Sequence, residues 1–348
     1  MSDMVDSENI NFIKKNVSNI DIYVLSKELN RILKDGFISN IYELPDSQSK
    51  TLILKFRSKS GKKYMIVDPK KRINITQYKY PVPPFPSQFI ISLRKVLKGR
   101  RIQRIYQYNL DRILVFELKS NTGDPWKLVV EFFAGGNYIL LDGSEKTYIA
   151  QSYKKMRNRE ILANKTYQFP TVRGHDIWKL DYETYKAVIS DENREIVRVI
   201  ARSFNIGGTI AEEILARAEV DKFTKTSELS QKEKQDIFNA IQEIVNILEN
   251  ETFSPRILID EENNPIGFDA FALKIHSDNK YKEMDSLNQV VDNFFSQYDS
   301  EKLFSGKQKQ SEKKILKHEK ILDQQLKTIQ KSKKNREKFL ENGNLIYQ

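Results

Sequence analysis

Apolar residues in the first 150 positions recur at every second residue over short runs. TLILKFRS (51–58), KKYMIVD (62–68) and RINIT (72–76) form one set; DRILVFELKS (111–120), WKLVVEFF (126–133) and NYILLD (137–142) form another. This alternation predicts strands. Ser60-Gly61, Gly135-Gly136 and Asp142-Gly143 supply the turns between them. Each set follows the tail of an amphipathic helix, a glycine stop and an I-x-x-I-Y strand, in LNRILKDGFISNIYEL (29–44) and LRKVLKGRRIQRIYQY (93–108). Ile38, Ile41 and Tyr42 correspond to Ile102, Ile105 and Tyr106, with one residue inserted after the glycine. Ser87 can cap the second helix and Gly99 end it. The expected fold class is α+β, a duplicated pair of helix-plus-antiparallel-sheet halves packed together with a groove between them. Within it, YNLDRILVFEL (108–118) reads as a half-buried strand from Leu110 on, with Leu114, Phe116 and Leu118 on one face. Asp111 and Arg112 sit at its entrance, one charge on each face.

Near residue 175 the period becomes helical. NREIVRVIARSFNIGGTIAEEILARAEV (193–220) predicts a helix, a tight Gly207-Gly208 turn and a second helix, with Thr209 and Glu212 spaced as a capping box. Ser230 and Glu233 introduce a further helix whose buried stripe is Ile237, Ile241, Ile244, Val245 and Leu248. PRILIDEENNPIGFDAFALK (255–274) returns to strand character around an Asn-Pro turn, and SLNQVVDNFFSQY (286–298) predicts a short amphipathic helix. From about 306 Ile315, Leu322 and Ile329 repeat every seventh residue. Leu326 and Leu340 lie on the alternate seam, and Glu319, Lys333 and Arg336 interrupt it. That pattern is a weak coiled coil in need of a partner strand. The expected divisions are 18–175, a β-rich duplicated domain; 176–252, a helical module; 253–305, a strand pair and helix; and 306–348, the start of a coiled-coil arm.

The 348 residues favour more than one core, and no apolar run of about 18 residues predicts a membrane span. Zero cysteines exclude disulfides, thiolate metal sites and a cysteine nucleophile. With no secretory pattern at the N-terminus, a cytoplasmic location is expected. The net charge of +11 changes the picture less than it first suggests. Residues 307–338 carry twelve Lys/Arg against four Asp/Glu, so that segment alone supplies +8.

In the remainder the densest basic stretch is RKVLKGRRIQR (94–104), with Arg94, Lys95, Lys98, Arg100, Arg101 and Arg104 and no acid. Such a stretch can track a phosphate backbone, or can be a solvated face with cations at a helix C-terminus. KKMRNR (154–159), with Tyr148, Tyr153 and Tyr167 nearby, has the same two readings. The Gly207-Gly208 turn resembles a helix-hairpin-helix, which can offer N–H groups to a phosphate; any tight turn between helices would use the same glycines. Asp111-Arg112 is either an exposed ion pair worth about 0–1 kcal/mol or part of a recognition edge. The chain lacks a Walker loop, G-x-G-x-x-G and G-x-S-x-G, and its histidines, His175, His276 and His318, are isolated. No catalytic residue, metal site or cofactor is expected, and the balance favours a binding module.

SNIDIYVLSKELNRIL, RINIT, PPFPSQFIISLRKVLKGRRIQRIYQYNLDRILVFEL and GGNYILLD resemble the N-terminal domain of the NFACT family, which includes bacterial RqcH, fibronectin-binding-protein homologues and the nuclear export mediator factor. The L-R-K-x-L-K-G-x-R-I stretch followed by D-R is the most specific part. The resemblance runs over nearly the whole chain, leaving residues 1–17 as an N-terminal extension. It implies a ribosome quality control factor that binds a large ribosomal subunit carrying peptidyl-tRNA, captures a tRNA, and supports mRNA-independent tailing of the stalled chain, typically with alanine. Peptide bonds are then the ribosome's work, so no enzyme activity of its own is expected.

By the same resemblance Asp21, expected just before the first helix, joins Asp111 and Arg112 as the residues that choose the tRNA, through polar base edges. Arg100, Arg101 and Arg104 would supply sequence-blind affinity, and Gly207 and Gly208 a hairpin phosphate contact. The partners expected are tRNA, the large subunit with its rRNA, and a protein paired with the coiled coil; neither DNA nor membrane is expected. The second coiled-coil strand and the family's NFACT-R domain are not in this sequence, so it reads as a truncated chain. A weaker likeness to formamidopyrimidine-DNA glycosylases suggests fold kinship without their chemistry, since Ser2 replaces the nucleophilic proline and there is no cysteine zinc finger. The alternatives are a glycosylase-type nucleic-acid enzyme acting through carboxylates, and a coiled-coil scaffold.

Overall fold

The two halves expected from the repeat are present, and they exchange helices. The computed structural model describes residues 12–44, 50–120, 123–171, 174–190 and 193–346; most of the expected N-terminal extension, 1–11, lies outside the described residues. The first half comprises α1 (Asn19–Leu33), β1 (Phe37–Glu43), β2 (Leu52–Ser58), β3 (Gly61–Asp68) and β4 (Arg72–Thr76). The second comprises α2 (Gln88–Leu97), β5 (Ile102–Gln107), β6 (Ile113–Leu118), β7 (Trp126–Glu131), β8 (Asn137–Leu141) and β9 (Thr147–Ala150). Each set of strands is an antiparallel meander in chain order.

The duplication extends to the register. Ile38 faces Phe56 and Ile41 faces Leu54, with a bulge between them. Ile102 faces Leu118 and Ile105 faces Phe116, again with a bulge between. All four isoleucines are buried.

The halves join where each helix hands over to its first strand. Ile102 N–H donates to the Gly36 carbonyl at 2.7 Å and Ile38 N–H to the Arg100 carbonyl at 3.1 Å. Asp35 N–H returns to Ile102 O at 3.0 Å, Gly99 N–H to Ile38 O at 2.7 Å, and Phe37 bridges Arg101 antiparallel. Across this junction α1 packs mainly on β5 of the other half, and α2 on β1. Equivalent residues make the tie in both directions. Asn30 Oδ1 accepts from Ile105 N–H at 2.8 Å, and Arg94 Nε donates to the Ile41 carbonyl at 2.7 Å. Ser87 caps α2 as expected, and Gly99, at φ +83°, follows its last turn.

A strand buried on both sides replaces the half-buried one expected at β6. Residues Ile113 and Val115 cluster with Val129, Ile139, Leu141, Ile161 and Tyr167, because the chain after β9 folds back over that face. The fold-back carries a small hairpin, β10 (Lys154–Lys155) and β11 (Glu160–Ile161). Tyr138 on β8 is fully buried, and its hydroxyl donates towards the carbonyls of Val67 in β3 (2.8 Å) and Lys50 (3.0 Å), linking the two sheets. Burial holds its ionisation well above the ordinary tyrosine range.

The helical segment forms α3 (Tyr182–Ser190), α4 (Ile196–Ser203), α5 (Gly208–Ala218) and α6 (Gln231–Glu249). The Ser230–Glu233 capping box forms and the expected α6 stripe is buried. The Thr209–Glu212 box does not form. Gly207, at φ +79°, is the N-cap of α5, and Glu212 instead pairs with Lys222 at 3.0 Å. The strand pair expected after 253 is a three-stranded sheet, β12 (Arg256–Ile259), β13 (Pro265–Asp269) and β14 (Lys280–Glu283), in the order β13-β12-β14. KYKE, fully exposed at its edge, has no apolar alternation to betray it.

The short helix expected at 286–298 does not end there. It is the start of α7 (Leu287–Ile346), since an isolated glycine such as Gly306 costs a helix only about 1 kcal/mol. Glu28 caps its first turn, accepting from Leu287 and Asn288 N–H at 2.8 Å each. The chain separates into two compact units after Phe294. In the second, a helix, Leu322, Leu326, Ile329 and Leu340 are exposed.

Replacing Tyr138 by Phe removes the only group Tyr138 offers to Val67 and Lys50. A loss of about 1–3 kcal/mol is expected, measured as a lower denaturant midpoint with an unchanged slope.

Candidate nucleic-acid interface

The N-terminus of α1 is where distant parts of the chain meet. Ser18 caps the helix, and Asp21, at its third position, completes a capping box by accepting from Ser18 N–H and Oγ at 2.7 Å each. Asp21 therefore lies inside the helix rather than before it. It is only 1% exposed, and Lys14 Nζ lies 2.7 Å from Oδ2. Its carboxylate faces protein donors on both oxygens, so it positions the helix end and is not turned to solvent as an acceptor.

One residue along, Asn19 Nδ2 donates to the carbonyls of Leu110 (3.2 Å) and Asn205 (2.6 Å). Gln107 Nε2 donates to the Asn19 carbonyl at 2.7 Å and to the Asp111 carbonyl at 2.8 Å. The β5–β6 turn and the α4–α5 turn are thus tied to the same helix end. Nothing local in the sequence marks Asn19, because its partners stand 91 and 186 residues away.

The strand expected from Leu110 begins at Ile113. Residues Tyr108–Asp111 form a turn closed by Asp111 N–H to Tyr108 O at 2.9 Å, with Asn109 and Leu110 at φ +45° and +53°. Both central residues are left-handed, the geometry that suits a two-residue hairpin. A left-handed leucine costs roughly 1–2 kcal/mol, and burial of its side chain together with the Asn19 bond holds it there. Asp111 and Arg112 consequently do not divide across two strand faces. Asp111 Oδ1 accepts from the backbone N–H of Arg112 at 2.7 Å. The Arg112 guanidinium is exposed and has no partner among the described residues, so the two side chains form no ion pair.

The basic stretch divides in two. Arg94 is spent on Ile41 and lies over the Tyr42 ring. Arg100 donates to Val96 O (2.7 Å) and Lys119 O (3.1 Å) and covers Trp126. Arg101 reaches the Asp35 carbonyl at 3.0 Å, and Arg104 pairs with Glu117 at 3.2 Å over the Tyr106 ring. Lys95 and Lys98 are exposed without partners among the described residues. In the second cluster Arg159 is held by buried Glu131 at 2.6 Å, and Tyr167 is not an exposed neighbour but a buried donor to the same carboxylate at 2.7 Å. Burial, then the Glu131 charge, pushes the Tyr167 phenol far above its usual range.

Gly207, Gly208 and Thr209 are exposed, and Gly207 has no side-chain cap to offer α5. Among the described residues no group of three or more His, Asp or Glu side chains could hold a metal ion, and no helix is long and apolar enough to cross a membrane.

The fold and site define a duplicated α+β body with a helical pair docked beside an exposed arginine turn, followed by a long polar helix. Residues 18–347 match the NFACT N-terminal and middle domains, and the chain belongs to that family. An archaeal Rqc2 homologue, aRqcH of Methanocaldococcus jannaschii, is 29% identical over 343 residues, 96% of this chain and 50% of that protein. Ribosome quality control complex subunit 2 of Saccharomyces cerevisiae is 39% identical over 139 residues, 40% of this chain and 13% of that protein. The chain thus spans half the length of the archaeal relative. Among solved structures, the N-terminal part of the fibronectin/fibrinogen-binding protein from Streptococcus suis superposes with a TM-score of 0.62 at 21% identity, covering 81% of this chain and all of that one. At that identity the likeness speaks for the fold.

Asn19→Ala should leave two carbonyls without their donor and cost about 1–3 kcal/mol. Amide exchange should accelerate in 108–112 and 204–208 while β7 and β8 stay protected; unchanged exchange in both turns would refute the tie.

Proposed function

We propose that this chain is the tRNA- and large-subunit-binding part of a ribosome quality control factor, which recruits a tRNA, alanyl by the family pattern, for mRNA-independent tailing of stalled nascent chains. Membership of the NFACT family and the names of its relatives support the ribosomal setting, which is cytoplasmic. The observation that carries the tRNA reading is the exposed guanidinium of Arg112, which has no partner among the described residues. A planar fork of donors suits a base edge or a phosphate, and the Arg112 backbone is already held by the Asp111 carboxylate and Phe132 N–H, with Asn19 fixing the nearby Leu110 carbonyl. Asp111 sets the turn and keeps its second oxygen for a base amino group. Asp21 acts at one remove, by fixing the helix end that carries Asn19. Lys95 and Lys98 supply affinity for phosphates, more directly than the engaged Arg94 and Arg100. The helix-hairpin-helix glycines add exposed backbone N–H groups at the start of α5. The seam of α7 is read as half of a coiled-coil arm awaiting a partner strand. In this reading the chain holds RNA and needs no catalytic group.

Arg112→Ala and Asp111→Ala are expected to weaken tRNA capture about tenfold or more, the worth of a good bidentate contact, with the melting temperature almost unchanged for Arg112→Ala and lowered modestly for Asp111→Ala, which loses its bond to the Arg112 N–H. Equal tRNA binding by wild type and the double variant at one fixed moderate salt would sink the assignment. Lys95→Gln with Lys98→Gln should weaken all RNAs alike and flatten the salt dependence; an effect confined to one tRNA species would contradict that division of roles. Base release or strand cleavage of damaged DNA, lost with a carboxylate substitution, would favour the glycosylase-type enzyme instead.

A further inference from the structure

A second group of cations lies at the same end of the sheets as the Arg112 turn. Lys50 Nζ donates to Ser152 Oγ at 2.6 Å, and Lys154 Nζ to the Ala134 carbonyl at 3.1 Å. Both partners are neutral, and neither ammonium has a carboxylate partner among the described residues. Lys70 lies on the β3–β4 turn, which Lys71 N–H closes onto Asp68 O at 2.9 Å. That turn abuts the β7–β8 turn so tightly that a Cβ on Gly136 would stand 2.4 Å from Pro69 Cβ. Lys50 registers the crowding, since burial first, then Lys154 and Lys70, hold its ammonium below the usual lysine range.

The β7–β8 turn is itself tight. Gly136 N–H closes it onto Phe133 O at 2.9 Å, with Ala134 at φ +49° and Gly135 at +85°. An alanine in the left-handed region is uncommon, though with Gly135 it fits a two-residue hairpin turn. Here it presents the carbonyl that holds Lys154, while Phe132 N–H donates to the Arg112 carbonyl at 2.8 Å, making this turn the neighbour of the Arg112 turn. Between Ser152 and Lys154, the Tyr153 ring is 49% exposed.

Like charges held together against neutral oxygens lower the stability of the free protein and suit a polyanion. An exposed ring among them suits one with flat bases. We propose that Lys50 and Lys154, with Ser152 and Tyr153, clamp the phosphate backbone of a single-stranded RNA segment that continues from the bases offered to Arg112. The clamp rests on the RNA-binding reading above but does not depend on Arg112 being the selector.

The test is fluorescence anisotropy of the whole chain with a labelled uridine dodecamer over a series of KCl concentrations. Lys50→Gln with Lys154→Gln should weaken binding several-fold at low salt and reduce the slope of log K against log salt by about 1.4, two single-strand phosphate contacts. Lys50→Arg with Lys154→Arg should retain the slope, and Tyr153→Ala should weaken binding at every salt concentration with the slope kept. An unchanged slope in the glutamine variant overturns the clamp. So does displacement of the dodecamer by poly-glutamate as effective as by unlabelled RNA, which would make the surface one for acidic peptides. Measuring the glutamine variant in an Arg112→Ala background separates the two assignments. A slope that falls there too sustains the clamp even if Arg112 has no part in choosing tRNA. If the double variant loses its melting transition, Lys154→Gln alone should give about half the change in slope, and no change overturns the proposal.

Discussion

Four backbone hydrogen bonds between Asp35–Ile38 and Gly99–Ile102 decide where everything else in the first unit can go. They bind each half to the other at the point where a helix passes into its first strand. Gly36 has no room there for even a methyl group, since a Cβ would meet the carbonyls of Arg57 and Leu33 at 2.9 Å. With that junction made, α1 packs mainly on the second sheet and less on its own. Its N-terminal Asn19 then arrives at the β5–β6 turn, and through Asn205 the helical pair is drawn to the same place. The exposed arginine turn is a consequence of this exchange.

Side chains near the site sort by what they face. Asp21, Arg94, Arg100 and Arg159 have polar partners within the protein, and their charges help hold helix ends, strand edges and ring faces. Arg112, Lys95 and Lys98 face water without partners among the described residues. Lys50 and Lys154 lie between these extremes, held in place by neutral oxygens with their charge uncompensated by any described carboxylate. A positive stretch in a sequence therefore overstates the charge available to a polyanion, because arginine is drawn to carbonyls and rings where lysine stays hydrated.

Much was legible in the amino-acid pattern because it is local. Period-two runs, turn pairs and the repeated I-x-x-I-Y marked two sheets, to which the structure adds matching bulges, and Ser87 and Ser230 marked their helices correctly. Thr209–Glu212 misled because Gly207 accepts a backbone conformation that a threonine cap would not need. Strand β14 escaped because an edge strand facing water carries no alternation, and α7 ran on because one glycine is too weak a stop.

By itself, then, the sequence determined most of the helices and strands, that the first half of the chain is doubled, and that cations crowd residues 94–104. Those properties follow from short-range sterics and from the periodicity of burial. Only the tertiary structure decided that the helices change partners, that Asn19 ties two distant turns to one helix end, and that both faces of β6 are covered. The groups involved come together from far along the chain, 66 residues apart for Asp35 and Arg101 and 186 for Asn19 and Asn205, whereas Asp21 is turned inward by its close neighbours Ser18 and Lys14. No residue's neighbours in sequence carry information about such contacts; Asp111-Arg112, which reads in the sequence as either an exposed ion pair or part of a recognition edge, stands in the fold at a turn whose guanidinium has no partner among the described residues.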